Sequence, residues 1–315
     1  MTLWSNSSWH TYSTCPRAWG YRYRDGIAPR EPAEYLTAGT AWHDVTRAIL
    51  RGGLPPEDDM TQHWITHNLR RYPIAPMAHE VCYYLDKSGR LTRPRKHGLV
   101  GVIDTVATGD DLWIIERKTA ATLRGWHHYR ATTQYWSYVA VADEVLRLTG
   151  KRVRIAYDEV RKAEPREPKG TQCKKCKGLG CAACGGTGDG GISKAVTEFT
   201  PEILAAWLEA RPWIDGTDAM EACIARGDVW NAWYEDTEED REYVRARFAG
   251  LIRVMRATRI RTEPNYNDCG RCQYLELCWH ENTILYQWAP AEWSTGVHSE
   301  DLATMIGVKR NARKS

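Results

Sequence analysis

The sequence predicts an α/β or α+β domain, because strand and helix patterns alternate along its central part. Two apolar runs joined by a polar turn occupy residues 98–120, which is the pattern of a β-hairpin. Residues 126–148 have the apolar spacing of a helix, and residues 151–159 read as a further strand. The order strand, strand, helix, strand is typical of both fold classes.

The predicted hairpin carries three charged side chains inside its apolar strands. If its turn centres on Asp110, Asp104 lies directly across from Glu116, at a Cβ separation of about 4.5–5.5 Å. Glu116 and Lys118 are two positions apart on one strand and therefore point to the same face. Two carboxylates and a lysine at one spot of a hydrophobic sheet are unfavourable for folding unless a metal ion binds there. The hairpin therefore predicts a divalent-metal site.

The segments before the hairpin predict helices and a strand. A Ser-rich start suits a helix N-terminus, and Pro16 suits a turn or the first turn of a helix. Apolar residues at helical spacing begin at Trp42 and place His43 near the first turn of that helix. His43 alone is compatible with a structural histidine or with a metal ligand. Residues 60–71 read as the next helix, and residues 80–85 read as a strand that leads towards the hairpin.

Helical patterns dominate the segments after the last predicted strand. They cover residues 201–211, 217–227 and 237–259, and the third begins acidic and ends basic, in keeping with the helix dipole. Its arginines either form a solvated face or contact DNA. A basic run just before the hairpin likewise suits a solvated loop or a phosphate backbone. The residues concerned are Arg245, Arg247, Arg253, Arg256 and Arg259 in the helix, and Arg90, Arg93, Arg95, Lys96 and His97 in the run.

Size and composition fit a globular protein without a membrane segment. The chain has 315 residues and a mass of 36.0 kDa, which suffices for one large domain or two smaller ones. Mean hydropathy is -0.56, and no run of about 18 apolar residues occurs. The N-terminus lacks the apolar core of a secretory signal, so we expect a cytoplasmic protein with reduced thiols.

Charge and aromatic content bear on nucleic-acid binding. The net charge is only +3, so affinity for nucleic acid has to come from local patches. The chain has 15 Trp and 16 Tyr against 2 Phe. Such amphipathic aromatic side chains either stack on unpaired bases or fill the core and its margins.

Ten cysteines in a cytosolic chain indicate metal binding before disulfides. Between residues 173 and 188 the pattern CxxCxGxG occurs twice in succession. Four thiolates this close can bind one tetrahedral Zn2+, and the glycines permit the turns that point the sulfurs inward. The pattern resembles the cysteine-rich repeats of DnaJ-type chaperones over this segment alone, so we infer a zinc knuckle in a loop excursion and not a chaperone. The predicted zinc ligands are Cys173, Cys176, Cys181 and Cys184.

Six short motifs occur in the order that is typical of one enzyme family. They are Cys15-Pro16, Gly39-x-x-x-His43, Gly101-x-x-Asp104, Glu116-x-Lys118, Gln134-x-x-x-Tyr138 and Cys269-x-x-Cys272-x-x-x-x-x-Cys278. Together they resemble the RecB-like branch of the PD-(D/E)XK nuclease superfamily, and within it the iron–sulfur members. These members include CRISPR-associated RecB-like exonucleases and AddB-type helicase-nuclease subunits. Two features depart from the family: Ile103 stands where the superfamily name has proline, and the zinc knuckle is not a standard part.

The resemblance implies a restriction-endonuclease-like core, with a small central mixed sheet flanked by helices. His43, Asp104 and Glu116 would bind one or two Mg2+ or Mn2+ ions, aided by the backbone carbonyl of Arg117. Lys118 would orient or deprotonate the attacking water. Carboxylate oxygens suit such hard cations, which lower the pKa of bound water and neutralise charge on the reacting phosphate.

The resemblance also assigns supporting groups. Gln134 and Tyr138 would help to position the scissile phosphate and the motif, and Glu80 is a weaker candidate for a second carboxylate. A [4Fe–4S] cluster would join the two ends of the chain around the nuclease core, and zinc at the same thiolates is the alternative. The cluster ligands would be Cys15, Cys269, Cys272 and Cys278.

These inferences predict four parts: a nuclease core with the first cluster ligand (1–164), the knuckle insert (165–192), helices with the closing cysteines (193–290) and a polar tail (291–315). We expect a DNA exonuclease acting at ends or in single strands, in recombination, repair or phage DNA processing. A recombination or replication protein is a candidate partner. The alternative is a non-catalytic DNA-binding or recombination adaptor that keeps the fold. A chaperone-like module has support from the knuckle segment alone.

Overall fold

The computed structural model describes most of the chain. The described residues are 4–30, 34–92, 98–161, 168, 170–192, 199–226, 231–256, 272–274, 277–278, 285–288 and 301–307. Within these ranges, the side chains at 34–40, 226, 254–255, 286 and 288 are not described. Several residues singled out above lie outside the described part: Arg93, Arg95, Lys96, His97, Arg259, Cys269 and most of the predicted tail.

The described elements are as follows. The strands are β1 (Trp4–Ser5), β2 (Ile27–Pro29), β3 (Met77–Leu85), β4 (Leu91–Thr92), β5 (Leu99–Thr108), β6 (Leu112–Ala120), β7 (Val153–Arg161), β8 (Gly170–Gln172), β9 (Asp189–Ile192), β10 (Asn231–Glu235) and β11 (Tyr286–Trp288). The helices are α1 (Asn6–Thr14), α2 (Pro16–Trp19), α3 (Glu34–Leu50), α4 (Asp59–His67), α5 (Trp126–Arg130), α6 (Thr133–Thr149), α7 (Pro201–Glu209), α8 (Thr217–Arg226) and α9 (Glu238–Arg256), with a short final helix at Leu302–Met305. None of the described helices is both long and apolar enough to cross a membrane.

A seven-stranded mixed sheet forms the centre of the fold. Its order is β10, β7, β6, β5, β3, β4, and β1 pairs with β5. Strand β5 is antiparallel to β3 and β6, whereas β6 and β7 run parallel and are joined through α5 and α6. A parallel pair needs such a crossover connection. The predicted order of strand, strand, helix and strand is therefore confirmed, as is a mixed sheet flanked by helices.

The two faces of the sheet are covered by different helices. Ile114 of β6 packs in the core formed with α1, α6 and α9. The next residue, Ile115, packs on the other face against Trp42 of α3 and the residues of α4. Because side chains alternate along a strand, Glu116 and Lys118 lie on the same face as Ile114, below α6.

Three predicted helix boundaries are wrong. The predicted helix 60–71 ends at His67, and Leu69–Arg71 form a separate 3-10 helix. The stretch 126–148 forms two helices, because the chain is interrupted at Thr132, whose hydroxyl accepts the Tyr135 N–H at 3.3 Å and caps the second helix. Helix α3 begins at Glu34, so His43 lies in the middle of the helix and not near its first turn.

A long excursion leaves the sheet and returns to the same place. The chain leaves β7 at Arg161 and re-enters the sheet at β10, where Asn231 pairs with the penultimate residue of β7. Strand β10 was not predicted, and it closes an insertion that holds β8, β9, α7 and α8. Within the insertion, the Asp189 carboxylate accepts a bond from Arg211 at 2.7 Å, and its carbonyl accepts the Trp213 indole N–H at 3.2 Å. The cysteine segment is thus attached to the loop between α7 and α8.

Candidate active site

The candidate site lies where β5 and β6 separate. The antiparallel ladder between them ends with Thr105 opposite Ile115. Asp104 and Glu116 are the next residues on the two strands, which is the register predicted from a turn centred on Asp110. The two carboxylates therefore lie at the start of a gap in the sheet, one position beyond the last ladder pair.

Asp104 is held at this gap by the backbone of the opposite strand. Its Oδ2 accepts the Arg117 N–H at 2.8 Å and lies 3.4 Å from Nδ1 of His43. The carboxylate gives that N–H a partner where the two strands part. The His43 and Asp104 side chains are 31% and 16% exposed, so a substrate can reach both.

The glycine in the Gly101-x-x-Asp104 motif has a packing reason. A Cβ at this position would overlap the ring of Tyr83. The Tyr83 hydroxyl accepts a bond from Asn6 Nδ2 at 2.8 Å and lies 2.6 Å from the Ser137 hydroxyl. Gly101 therefore lets β5 approach the tyrosine that links β3 with α1 and α6 behind the site.

Glu116 is buried, and three side chains bond to its carboxylate. Oε1 accepts bonds from Gln134 at 2.7 Å and from the Lys118 ammonium, and Oε2 accepts the Tyr138 hydroxyl at 2.5 Å. Burial raises the pKa of Glu116, the Asp104 charge raises it further, and the Lys118 ammonium and the Tyr138 hydroxyl oppose this rise. Gln134 and Tyr138, one turn apart on α6, thus orient this carboxylate.

Lys118 keeps an ammonium group beside both carboxylates. Burial lowers the pKa of Lys118, but the charges of Glu116 and Asp104 outweigh burial and raise it above its ordinary value. The side chain is 33% exposed. Its nitrogen therefore lies within reach of a water or a phosphate that enters the gap.

Glu80 faces the gap from β3, but its carboxylate already has a partner. It lies opposite Asp104, between two ladder pairs, and has a φ of +57. A left-handed conformation costs a non-glycine residue roughly 1–3 kcal/mol. Its Oε1 accepts a bond from Arg47 at 2.6 Å, and Arg47 follows His43 by one turn of α3. The strain lies next to Asp104, where the ladders on both sides are interrupted.

A second basic group, which the sequence did not predict, borders Lys118. Arg124 Nη1 lies 3.1 Å from Nε2 of His128, and the Arg124 charge acts on Lys118. Burial lowers the pKa of His128, and the charges of Arg124 and His10 add to this. The buried carboxylate of Glu159, the ladder partner of Lys118, fixes the Arg124 N–H at 3.0 and 3.1 Å. No motif marks these residues, and the one signal is their place directly after β6.

The donor set at the gap is of the chemical type that a hard divalent cation accepts, although the ligand atoms of His43, Asp104 and Glu116 do not all lie within 4.8 Å of one another. Asp104 and Glu116 supply carboxylate oxygens and His43 supplies a ring nitrogen, which are ligands that Mg2+ and Mn2+ accept. The Asp104 charge raises the pKa of Glu116, which shows that the two carboxylates repel each other. A cation between them would relieve that repulsion. The carbonyl of Arg117 remains the predicted backbone ligand.

The four cysteines of the insertion converge on one point. Their Sγ atoms all lie within 4.8 Å of one another, and this is the one group of cysteine, histidine or acidic residues in the described chain that meets this criterion. The Cys173–Cys181 sulfurs are 4.0 Å apart, and those of Cys176–Cys184 and Cys181–Cys184 are 3.7 Å apart. A tetrahedral Zn2+ with Zn–S bonds of about 2.3 Å separates its sulfurs by about 3.8 Å. The four thiols therefore fit one zinc ion.

The second cysteine group is described in part. Cys15 is buried in an apolar cluster with Tyr274 and Cys272. The Tyr274 hydroxyl donates to a backbone carbonyl of β2 at 2.9 Å, and the Cys278 N–H donates to the Tyr274 carbonyl at 2.8 Å. Strand β11 also pairs with β2. The structure thus brings the C-terminal cysteine segment to Cys15, while Cys269 lies outside the described residues.

The comparison with known families agrees with this geometry. The family model of the PD-(D/E)XK nuclease superfamily matches residues 3–279, a stretch that includes the hairpin, α3, α6 and the cysteine insertion. No curated protein matches the chain closely enough to count as a relative. Members of this superfamily are typically metal-dependent nucleases, and the group of carboxylates, histidine and lysine described above suits that chemistry. The chain belongs to the PD-(D/E)XK nuclease superfamily.

Proposed function

We propose that this chain is a divalent-metal-dependent DNA exonuclease of the RecB-like iron–sulfur branch. The observation that carries the proposal is the gap between β5 and β6, where two carboxylates, a histidine and an ammonium group converge. Such a set can bind a cation, hold a water and face a phosphate. The substrate would be DNA ends or single strands, in cytoplasmic recombination, repair or phage DNA processing. A recombination or replication protein is the proposed partner.

Each side chain has a task in phosphodiester hydrolysis. Lys118, which keeps its ammonium charge, orients the attacking water. The water loses a proton to solvent as its oxygen bonds to phosphorus, and the leaving sugar oxygen takes up a proton from solvent as its bond to phosphorus breaks. Gln134 and Tyr138 keep the Glu116 carboxylate in one orientation, and through it the position of Lys118. The three predicted ligands would hold a Mg2+ or Mn2+ ion, which would supply positive charge to the phosphate and lower the pKa of water.

Arg124 and His128 extend the site along the substrate. Their nitrogens lie 3.1 Å apart beside Lys118, and the Arg124 backbone is fixed to a buried carboxylate. Two clustered basic side chains suit a phosphate group, because each N–H can donate to a different phosphate oxygen. We assign them to the phosphate next to the scissile one.

Two structural metal centres complete the proposal. Cys173, Cys176, Cys181 and Cys184 would bind Zn2+, as their sulfur separations support. Cys15 and Cys272, which share one apolar cluster, would ligate a [4Fe–4S] cluster together with Cys269 and Cys278. Zinc at this second group is the alternative. Anaerobic purification separates the two, because an iron–sulfur protein is brown and absorbs visible light, and metal analysis of the same sample counts zinc.

Cleavage of labelled DNA tests the activity. With Mn2+ present, linear and single-stranded DNA should be degraded, whereas a covalently closed duplex circle should persist because it has no end. Asp104→Ala and Lys118→Ala should abolish degradation. Robust cleavage by both variants would overturn the assignment of the site, and cleavage of the closed circle would overturn the exonuclease assignment.

The alternative function is a non-catalytic DNA-binding or recombination adaptor. The full set of motif residues at the gap argues against it, because an adaptor has no use for a lysine between two carboxylates. Purified protein with both metal centres filled, which binds DNA and leaves it uncut with Mg2+ and with Mn2+, would establish this alternative.

A further inference from the structure

The insertion between β7 and β10 starts and ends at the side of the candidate active site. The chain leaves the sheet after Arg161, whose ladder partner Ala120 lies two residues beyond Lys118. It returns at Asn231, beside Val160. Since β6 and β7 run parallel, both ends of the insertion join the sheet at the edge towards which the catalytic strand points. A DNA strand at Lys118 therefore passes near the base of the insertion.

The cysteine segment of this insertion is basic on its outside. Lys174, Lys175 and Lys177 are exposed, and no aspartate or glutamate occurs between residues 173 and 188. The thiols face the opposite way, towards a common centre in which Cys173 and Cys184 are buried. The lysines thus lie around a compact metal-binding centre and project their charges into solvent, as phosphate contacts require.

An apolar side chain stands at the tip of this segment. Leu179 is 91% exposed and lies between two glycines with φ of +88 and +86. The preceding Lys177 also has a positive φ, of +50. Lys177 and Leu179 thus lie two positions apart in a run of left-handed backbone, and both side chains are exposed. An exposed apolar residue beside basic ones suits a nucleic acid, where it packs against a base while lysines contact phosphates.

The segment has a firm mount. Asp189 binds Arg211 at 2.7 Å and Trp213 at 3.2 Å. A Cβ at Gly185 would overlap the Trp213 ring, so the backbone packs directly on that indole. These contacts attach the base of the knuckle to the loop after α7.

We propose that the zinc knuckle is a DNA-contacting element, in which Lys174, Lys175 and Lys177 bind the phosphate backbone and Leu179 packs against a base. This inference rests on the proposed function, since DNA is the substrate at the neighbouring gap. A protein client is the less suitable occupant, because Leu179 is the one large apolar side chain exposed on the described knuckle surface.

The test measures DNA binding by fluorescence anisotropy of labelled duplex and single-stranded DNA, without divalent cations and in an Asp104→Asn background that does not cut. Replacing the three lysines by glutamine should weaken binding and reduce the slope of log K against log salt by up to about 2.7 for duplex DNA, or 0.9 per phosphate contact. Leu179→Ser should weaken binding with the slope unchanged. The matched control, Lys151→Gln with Arg152→Gln, removes exposed charges at the far end of β7 and should change neither quantity.

A second measurement avoids variants altogether. In the full-length protein, DNA should protect Lys174, Lys175 and Lys177 from acetylation and leave Lys151 reactive. Equal acetylation with and without DNA, or an unchanged salt slope in the triple variant, would overturn this inference. The proposed nuclease function would still stand if the unsubstituted protein cleaves DNA. The surface would instead be assigned to protein clients if the protein suppresses aggregation of an unfolded protein through the knuckle and DNA binding is unaffected in every variant. A protein that neither binds nor cuts DNA fails both proposals.

Discussion

The carboxylate site and the proposed zinc knuckle both gather side chains of the types that bind metals, but different forces hold them in place. At the carboxylate site, Asp104 is bonded to the backbone of β6, and Glu116 is bonded to Gln134 and Tyr138 of α6 as well as to Lys118. These bonds lie on the central sheet and its covering helix. These side chains are therefore held in place by the protein core.

The knuckle has little of this support. Its strands β8 and β9 form a two-stranded sheet, which is marginally stable alone. Six of its residues have positive φ, namely Lys177, Gly178, Gly180, Gly185, Gly186 and Gly188. Ordering so many glycines is entropically unfavourable. Structural Zn2+ binds zinc-finger peptides with about 10–16 kcal/mol, enough to offset this. If Zn2+ binds there as proposed, metal organises the knuckle, whereas the protein core holds the carboxylate site.

The largest expected effect comes from removing charge at the carboxylate site without disturbing its fold. Asp104→Asn and Lys118→Met should each lower the rate of DNA cleavage roughly a thousandfold, as loss of a group that stabilises the transition state does. The Asn side chain can still accept the Arg117 N–H, so the melting temperature should stay within a few degrees of the unsubstituted protein. Rates with Mn2+ and thermal denaturation check both statements.

Asp143→Asn is the matched control for these variants. Asp143 lies on α6, and its exposed carboxylate pairs with Arg245 at 2.9 Å. Its replacement should leave the rate unchanged. A near-normal cleavage rate in Asp104→Asn would show that this carboxylate is dispensable. A large drop in its melting temperature would show that the carboxylate is needed for folding.

The second effect concerns the knuckle. Cys176→Ser should reduce the zinc content by one ion per chain and make residues 170–192 sensitive to protease, since the metal supplies most of the folding free energy there. The main melting transition and the cleavage rate at saturating DNA should remain. Cys223→Ala is the control: Cys223 is buried on α8, and its replacement should leave the zinc content unchanged. Retained zinc in Cys176→Ser, or loss of the main transition, would contradict a metal-organised knuckle.

The sequence predicted the parts of the site that depend on local geometry. A hairpin fixes its own register, so the position of its turn was enough to put Asp104 and Glu116 at matching positions on the two strands. The prediction did not include the end of the ladder one pair before them. The spacing of Gln134 and Tyr138 likewise placed both on one face of a helix. His43 joined the set through family resemblance, since a lone histidine in a helix carries no such signal.

The remaining features depend on tertiary structure and could not be predicted in this way. The left-handed conformation of Glu80 arises where its ladder to β5 is interrupted, and its pairing with Arg47 needs the position of α3. Strand β10 forms by antiparallel pairing with β7, a contact between segments that are far apart in the sequence. The break at Thr132 falls inside a run with helical spacing, and its capping hydrogen bond reveals it.

A smaller effect should follow from loosening Glu116. Tyr138→Phe removes the hydroxyl that donates to Oε2 at 2.5 Å. Loss of a group that orients a metal ligand typically reduces affinity or activity about 10–100-fold. We expect a loss in that range, together with a higher Mn2+ concentration for half-maximal rate. Tyr135→Phe is the control, because its hydroxyl contacts Asp236 at 3.4 Å, away from Glu116. Equal effects of the two variants would show that α6 supports the fold and does not orient the ligand.

The smallest effect is expected at Arg124, which lies outside the set of proposed metal ligands. Arg124→Gln removes the guanidinium beside His128 but keeps the backbone N–H that Glu159 holds. A hydrogen bond to a charged group contributes about 1.5–3 kcal/mol, so KM for DNA should rise about tenfold or more, with kcat nearly unchanged. Arg147→Gln is the control, since Arg147 is exposed on α6 and pairs with Glu144. A fall in kcat with an unchanged KM would contradict this expectation. Arg124 would then act on the chemical step through Lys118, and the loop after β6 would belong to the catalytic site.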